Sequence, residues 1–238
     1  MSFRDWLVGT VVSTTQQTPN AKSIVLDVPG WTGSTAGQHV DVRLTAPDGY
    51  SAVRAYSLAS TGAGQLVELA VDLIDDGEVS PYLVGELRAG DQLEFRGPLG
   101  RWFVWKPAQT APVQLIAGGS GVVPLLAMIR AHIASGSTAP MRLLYSVRSP
   151  ADRFFADELT AALDIDVTLV YTREVPEGWN ASPGRVTKDI LAAATVPASE
   201  HPAVFVCGPT GFVETVASAL VDLGHDPVAV KTERFGGS

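Results

Sequence analysis

The chain has 238 residues, of which 46% are hydrophobic and 18% are charged, and its formal net charge is −8. This composition indicates a folded protein with one large core or two modest cores rather than a disordered chain. The negative charge argues against a general nucleic-acid binder, which needs a basic surface. Cys207 is the only cysteine, so the chain can form neither an intramolecular disulfide nor a cysteine-ligated iron–sulfur cluster, and we predict no metal site.

The first half of the chain shows short strand patterns separated by turn clusters, at residues 8–12, 23–28, 39–44, 55–59, 66–71 and 92–97. Regular strands with almost no helical periodicity indicate an antiparallel barrel or sandwich, and we favour the barrel. Residues 75–87 depart from this pattern, because Ser80 and Pro81 suit the start of a short helix. Its free backbone N–H groups and the Ser80 hydroxyl would suit a pyrophosphate, although a plain surface helix is the alternative.

The second half alternates strands with helices. The predicted strands are 113–117, 141–146, 166–171, 203–207 and 228–231, and the predicted helices are 125–134, 151–163, 186–194 and 211–223. This alternation predicts an α/β domain with a parallel five-stranded sheet. Composition changes near the linker 106–112, so we predict domains at 1–107 and 108–238. The N-terminus lacks a secretion signal and no run suits a membrane span, so we expect a cytoplasmic protein without membrane insertion.

Candidate ligand-binding residues lie where the predicted parallel strands end. Residues 118–121, Gly-Gly-Ser-Gly, follow a strand and precede a helix, which favours a phosphate-binding loop, with a tight turn as the alternative. Arg148, Arg153 and Arg173 could clamp the extra phosphate of NADP, because guanidinium bonds phosphate in pairs. No acidic residue follows the second strand to accept a ribose hydroxyl, so we favour NADPH over NADH.

In the first half, Arg54-Ala55-Tyr56-Ser57 provides a cation, an aromatic face and a hydroxyl within one short strand. These three groups are suited to holding a flavin, and a bend at the strand end could bring them around one planar ring. The alternative is an ordinary half-buried strand.

Six short motifs in order give the chain a recognisable character: Arg54-Ala55-Tyr56-Ser57, Gly77-Glu78-Val79-Ser80, Gly97-Pro98-Leu99-Gly100, Gly118-Gly119-Ser120-Gly121 with Pro124, Cys207-Gly208-Pro209, and Glu233-Arg234-Phe235. With them the sequence resembles the ferredoxin-NADP reductase family of flavoenzymes over essentially its whole length. The resemblance implies an antiparallel barrel that carries FAD, a nicotinamide-nucleotide domain, and hydride transfer from NADPH, or less favourably NADH, to the flavin.

The resemblance also implies roles for residues at the FAD. Arg54 would meet the pyrophosphate, Tyr56 would stack on the isoalloxazine ring, and Ser57 would hydrogen-bond flavin N5. The FAD residues implied are Arg54, Ala55, Tyr56, Ser57, Gly77, Val79, Ser80 and Phe235, and Asp72 stands where many relatives have a basic residue. Phe235 would shield the other face of the ring.

For the nucleotide, the resemblance places the pyrophosphate on the glycine loop and Cys207 beside the nicotinamide. The implied NAD(P) residues are Gly118, Gly119, Ser120, Gly121, Ser146, Arg148, Arg153, Arg173, Cys207, Gly208 and Pro209. Ser57, Cys207 and Glu233 are the implied catalytic residues. We do not expect Cys207 to act as a covalent nucleophile, because no histidine lies nearby in sequence to activate it.

Three functions remain open from the sequence. The favoured one is a monomeric, FAD-dependent NAD(P)H oxidoreductase that passes electrons to a separate redox protein of ferredoxin, Rieske or haem type, since the chain ends where some relatives begin a fused iron–sulfur domain. The second is a reductase of free flavin. The third is a nucleotide-binding module without turnover.

Overall fold

A computed structural model of the protein describes residues 6–162 and 164–236. The predicted helix end at Leu163 and the terminal residues 1–5 and 237–238 lie outside this range. Backbone contacts divide the chain into two compact units, residues 1–106 with 126–131, and residues 107–125 with 132–238. The domain boundary after residue 107 stays a prediction.

The first unit is built on a six-stranded antiparallel sheet, as predicted. Its strands are β1 (Leu7–Thr18), β2 (Ala21–Asp27), β3 (His39–Thr45), β4 (Ser51–Ser57), β5 (Leu66–Asp72) and β6 (Gln92–Leu99), in the order β4-β3-β6-β1-β2-β5. A bridge between Leu58, just after β4, and Leu69 of β5 joins the two outer strands, which gives the sheet its barrel-like form. A short π-helix, Tyr82–Glu86, occupies the predicted helical segment.

The core of this unit follows from alternation along the strands. Side chains such as Ile24, Leu26 and Phe95 point to one face and are buried, while the residues between them are more exposed. Burial of large apolar side chains is the main favourable contribution to the stability of such a sheet. Leu83 of the π-helix joins the same core.

The second unit contains the predicted five-stranded parallel sheet. Its elements are β7 (Val113–Gly118), α1 (Val122–Ser135), β8 (Met141–Val147), α2 (Ala156–Ala161), β9 (Asp166–Tyr171), α3 (Lys188–Ala194), β10 (Ala203–Pro209), α4 (Thr210–Asp222) and β11 (Val230–Phe235). The strand order is β11-β10-β7-β8-β9. Every residue of β7 is buried, as expected for a central strand covered on both faces.

Two helices begin later than the sequence pattern predicted. The helix expected from residue 151 starts at Ala156, because Pro150–Asp152 form a 3₁₀ turn and Phe155 adopts a left-handed backbone conformation at φ 51°. The helix expected from residue 186 starts at Lys188, where the Thr187 hydroxyl accepts a hydrogen bond from the Ile190 N–H at 3.3 Å. Within residues 6–162 and 164–236, no helix combines the length and apolar character needed to cross a membrane.

Candidate functional site

The end of β4 displays the flavin-motif side chains. Arg54 and Tyr56 are two residues apart on this strand and therefore share a face of the sheet. Arg54 is exposed, whereas Tyr56 packs against the core and its burial raises the pKa of the phenol to about 12. The tyrosine is therefore uncharged near neutral pH, and Ala55 between them is exposed.

Ser57 lies directly across from His39 of β3 in the antiparallel register. Residues directly opposite in such a pair point to the same side of the sheet, so the serine hydroxyl and the imidazole share a face. Burial lowers the pKa of His39, which favours the neutral ring. His39 was missed in the sequence, because only the register connects it with Ser57.

Among the described residues, Arg54 bonds to one carbonyl and one carboxylate. Its Nη1 donates to the carbonyl of Val53 at 2.8 Å, and its Nη2 forms an ion pair with the Glu78 carboxylate. The Tyr50 hydroxyl donates to the same carboxylate. This hydrogen bond and the nearby guanidinium hold the pKa of Glu78 below its ordinary value, so the carboxylate stays ionised. Tyr50 was not singled out from the sequence, and Glu78 was named there within the motif Gly77-Glu78-Val79-Ser80 but not as a partner of Arg54.

The loop that precedes the π-helix is tightly tied to itself. The Ser80 hydroxyl is buried and accepts a hydrogen bond from the Ile74 N–H at 3.0 Å. The Gly77 N–H donates to the Ile74 carbonyl at 2.8 Å, and a Cβ on Gly77 would lie 2.9 Å from that same oxygen. Val79 is buried in the core. Ser80 and Val79 thus fix the loop through their side chains, and Asp72 lies exposed at the end of β5.

In the second unit, β7 ends in Gly118, residues Gly119–Gly121 form a 3₁₀ turn, and α1 follows at once. A Cβ on Gly121 would lie 2.2 Å from the Cys207 carbonyl oxygen, and a Cβ on Gly118 would lie 2.8 Å from the Phe212 ring. Packing therefore requires both glycines. Gly119 has φ +56° with open space around it.

The N-terminus of α1 has no side-chain cap, and Ser120 in the preceding turn is half-buried. The first backbone N–H groups of a helix lack partners inside the helix and carry partial positive charge. A glycine turn that leads into an uncapped helix of 14 residues suits a phosphate group.

Cys207 and Glu233 occupy neighbouring positions in the register of β10 and β11. Burial raises the pKa of the Cys207 thiol well above its ordinary value, and the negative charge of Glu233 raises it further. Burial also raises the pKa of Glu233 to about 7. The site therefore pairs a neutral thiol with a carboxyl group that changes charge near neutral pH.

The residues that follow Cys207 and Glu233 stay paired in the parallel register of β10 and β11. Gly208 lies beside Arg234, and Pro209 lies beside Phe235, which is 37% exposed at the end of β11. A Cβ on Gly208 would meet the same Phe212 ring that excludes one on Gly118. Phe212, which the sequence reasoning missed, therefore explains two glycines at this edge of the sheet.

Arginines gather at the carboxyl ends of β8 and β9. The Arg173 N–H donates to the Arg148 carbonyl at 2.9 Å, so the two loops that carry these exposed side chains are joined. Arg153 follows the 3₁₀ turn Pro150–Asp152, and its Nε has no hydrogen-bond partner. None of the three forms an ion pair with an acidic residue in the part of the chain that the structure describes, which leaves their charge for an anion.

Two further residues belong to this edge of the sheet. Ser146 is buried near the end of β8, between Gly118 and Val170 in the register. Trp179, in the loop after β9, packs edge-on against Tyr171 with ring centroids 5.0 Å apart at 85°. The sequence reasoning missed Trp179, although a tryptophan in a loop that follows a sheet strand was a visible signal.

Comparisons with known proteins agree with both halves of this arrangement. A family model described as an oxidoreductase FAD-binding domain matches residues 9–104, and one described as an oxidoreductase NAD-binding domain matches residues 115–218. The chain is 30% identical over 225 residues to NADH-cytochrome b5 reductase 1 of Lodderomyces elongisporus, covering 91% of this chain and 74% of that protein. The chain belongs to the ferredoxin-NADP reductase family.

Another relative within the family is NADH oxidoreductase HCR of Escherichia coli, which is 34% identical over 213 residues. The match covers 88% of this chain but only 62% of that protein, so the chain spans less than two thirds of its length. The FAD/NAD-binding domain of nitric oxide dioxygenase from Vibrio cholerae superposes with a TM-score of 0.87 at 25% identity, over 98% of this chain and 100% of that one.

The residues present fit the cofactors of the ferredoxin-NADP reductase family. An exposed guanidinium and a neutral tyrosine share one face of the antiparallel sheet, and a glycine turn leads into an uncapped helix in the parallel unit. The chain accordingly carries an oxidoreductase FAD-binding domain and an oxidoreductase NAD-binding domain. Which residue makes which cofactor contact is part of the proposal below.

Proposed function

We propose that this protein is an FAD-dependent NAD(P)H oxidoreductase that passes electrons to a separate redox protein. The observation that carries the proposal is the presence in one chain of the Arg54–Tyr56 face and the uncapped N-terminus of α1. One suits a flavin with its pyrophosphate, and the other suits the phosphates of a nicotinamide nucleotide.

At the flavin, the side chains divide the work by their chemistry. Arg54 neutralises the pyrophosphate, because a guanidinium is permanently charged and bonds phosphate oxygens in pairs. Tyr56 offers the isoalloxazine ring an uncharged aromatic face. The Ser57 hydroxyl, which can both donate and accept, hydrogen-bonds N5. The loop 77–80 presents the backbone N–H groups that follow Gly77, whose own N–H is bonded to the Ile74 carbonyl. When bound, the flavin supplies the hydride-accepting chemistry.

At the nucleotide, the glycine turn Gly119–Gly121 at the N-terminus of α1 binds the pyrophosphate. Arg148, Arg153 and Arg173 contact the adenosine end, and their lack of acidic partners among the described residues supports a preference for NADPH. The relatives named above act, by their names, on NADH. The preference for NADPH therefore stays a prediction that a direct comparison of the two nucleotides decides.

Near the nicotinamide, Cys207 and Glu233 have different roles. The Cys207 thiol stays protonated because burial raises its pKa, so it packs beside the ring and does not attack it. Glu233, with a pKa of about 7, can hold or release a proton at its carboxylate under working conditions. Phe235, exposed at the end of β11, offers an aromatic face to a planar ring.

The electron acceptor is a separate protein in this proposal. Two relatives support that choice through their names, NADH-cytochrome b5 reductase 1 and, at 30% identity over 191 residues, the ferredoxin–NAD(P)(+) reductase component of a naphthalene 1,2-dioxygenase system from Pseudomonas putida. Ferredoxin, Rieske and haem proteins remain the candidate acceptors. The predicted monomeric state and cytoplasmic location stay predictions.

A steady-state assay tests the proposal. Purified protein is mixed with NADPH or NADH and ferricyanide, with and without added FAD. We expect nucleotide oxidation that does not depend on added flavin once the protein is saturated. A rate that rises with added FAD or FMN as a consumed substrate would instead support the free-flavin reductase, and no oxidation under any condition would leave a non-catalytic module.

A further inference from the structure

We propose that Glu78 competes with the FAD pyrophosphate for Arg54 and thereby weakens the hold of this protein on its flavin. The inference rests on the proposed function, in which Arg54 meets the pyrophosphate. Its starting observation is the ion pair between the Arg54 guanidinium and the Glu78 carboxylate. A carboxylate and a phosphate use the same N–H donors of an arginine, so the two anions are alternatives for one cation.

The loop geometry keeps Glu78 close to Arg54. Hydrogen bonds from Gly77 and Ile74 tie the segment before the π-helix, and a Cβ on Gly77 has no room beside the Ile74 carbonyl. Val79 is anchored in the core. These contacts hold the loop that carries Glu78 in place beside Arg54. A phosphate bound at Arg54 would face this negative charge at short range.

Tyr50 gives the Glu78 carboxylate a second hydrogen-bond donor. The Glu78 carboxylate accepts hydrogen bonds from both the Tyr50 hydroxyl and the Arg54 guanidinium. When a phosphate takes the guanidinium, Glu78 keeps one hydrogen-bond partner. The Arg54–Glu78 pair is also exposed, with 51% and 41% of the two side chains accessible. An exposed pair opens at small cost, so we expect it to tune flavin affinity and not to prevent binding.

The charge count on this face gives the direction of the effect. Asp75 and Asp76 lie just before Glu78 in the chain, so the segment that contacts Arg54 is acidic. Removing one negative charge at Glu78 frees the guanidinium and removes a repulsion of the pyrophosphate. From the sizes of exposed charge interactions, we expect Glu78→Gln to bind FAD about fivefold more tightly at low salt. High salt should reduce the gain to about twofold, because exposed charges are screened.

The test measures the dissociation constant of FAD, and of riboflavin, by flavin fluorescence in protein freed of cofactor. Glu78→Gln should bind FAD more tightly and leave riboflavin unchanged, since riboflavin has no phosphate. Glu86→Gln is the matched control, because it removes the same charge from the adjacent π-helix without contact to Arg54, and it should change neither constant. Tyr50→Phe should weaken FAD binding about two- to threefold, because the displaced Glu78 carboxylate then loses its second partner.

A double-mutant cycle separates competition for Arg54 from plain repulsion. In an Arg54→Gln background, the gain from Glu78→Gln should shrink to less than half of its value. Wild-type protein that binds no FAD would refute the proposed function itself. Wild-type binding with an unchanged or weaker constant in Glu78→Gln would refute only the competition, because it would make Glu78 a neutral or orienting partner of Arg54.

Discussion

Glu233 gives the protein a stability that depends on pH in a direction that can be stated in advance. Burial raises the pKa of its carboxyl group from 4.5 to about 7 in the folded chain, while in the unfolded chain it keeps its ordinary value. Because the folded pKa is the higher one, the favourable contribution is complete below pH 4.5 and is lost as the pH rises through 7. At about 1.4 kcal/mol for each unit by which the folded and unfolded pKa values differ, ionising the half-buried side chain destabilises the folded protein by about 3 kcal/mol.

The perturbation that isolates this cost is Glu233→Gln, which keeps the shape of the side chain and cannot ionise. Urea unfolding, followed by tryptophan fluorescence at several pH values from 4 to 9, gives the free energy of unfolding of both proteins. We expect the free energy of unfolding of the variant to rise relative to that of wild type by about 3 kcal/mol from the lowest to the highest pH, mostly between pH 5 and 7. Glu177→Gln, in the exposed loop after β9, is the control and should follow the wild-type curve.

Parallel curves for Glu233→Gln and wild type would refute the reasoning, because they would show that the carboxyl group has the same pKa in the folded and unfolded chain. A curve that diverges in the opposite direction would also refute it. Such a result would mean that the folded protein stabilises the ionised carboxylate, and the role of Glu233 as a proton holder near neutral pH would fail with it.

Three further predictions concern packing and ligand contacts. Gly121→Ala should destabilise the protein by about 3 kcal/mol or prevent folding, because the new Cβ would meet the Cys207 carbonyl; Gly211→Ala, which has open space in α4, should stay within about 0.5 kcal/mol of wild type in the same urea experiment. Gln114→Leu should cost about 1–3 kcal/mol, because it strands the buried Val196 N–H that donates to Gln114 at 2.9 Å, and an unchanged melting temperature would contradict this. Arg173→Gln should raise KM for NADPH about tenfold and leave KM for NADH unchanged, since only NADPH carries the extra phosphate on its adenosine ribose. Equal effects on both nucleotides would contradict the assigned contact.

The sequence predicted the two sheets well, because strand alternation and strand–helix alternation are local patterns. It placed β4 too late, from residue 55, whereas the strand runs Ser51–Ser57 and the following Leu58 forms the bridge to β5. It also missed the left-handed Phe155 that delays α2. Both errors arise at element ends, where tertiary contacts and not periodicity decide the boundary.

The candidate site was predictable where it depends on motifs and was not where it depends on register. Arg54, Tyr56 and the glycine turn stand in recognisable short patterns. Glu78 is 24 residues from Arg54 in the chain, and the ion pair exists only because the loop 74–80 is folded beside β4. The pairing of Ser57 with His39 likewise follows from how β3 and β4 align. Local secondary-structure propensity cannot predict contacts between residues so far apart in the chain.

The most direct test of the account is an absorbance spectrum of the purified protein followed by anaerobic titration with NADPH and, separately, with NADH. We expect a flavin spectrum, stoichiometric bleaching by one of the two nucleotides with NADPH favoured, and recovery of FAD after denaturation. A protein that is saturated with FAD and is bleached by neither nucleotide would contradict the central claim, because binding without hydride transfer would leave it a nucleotide-binding module.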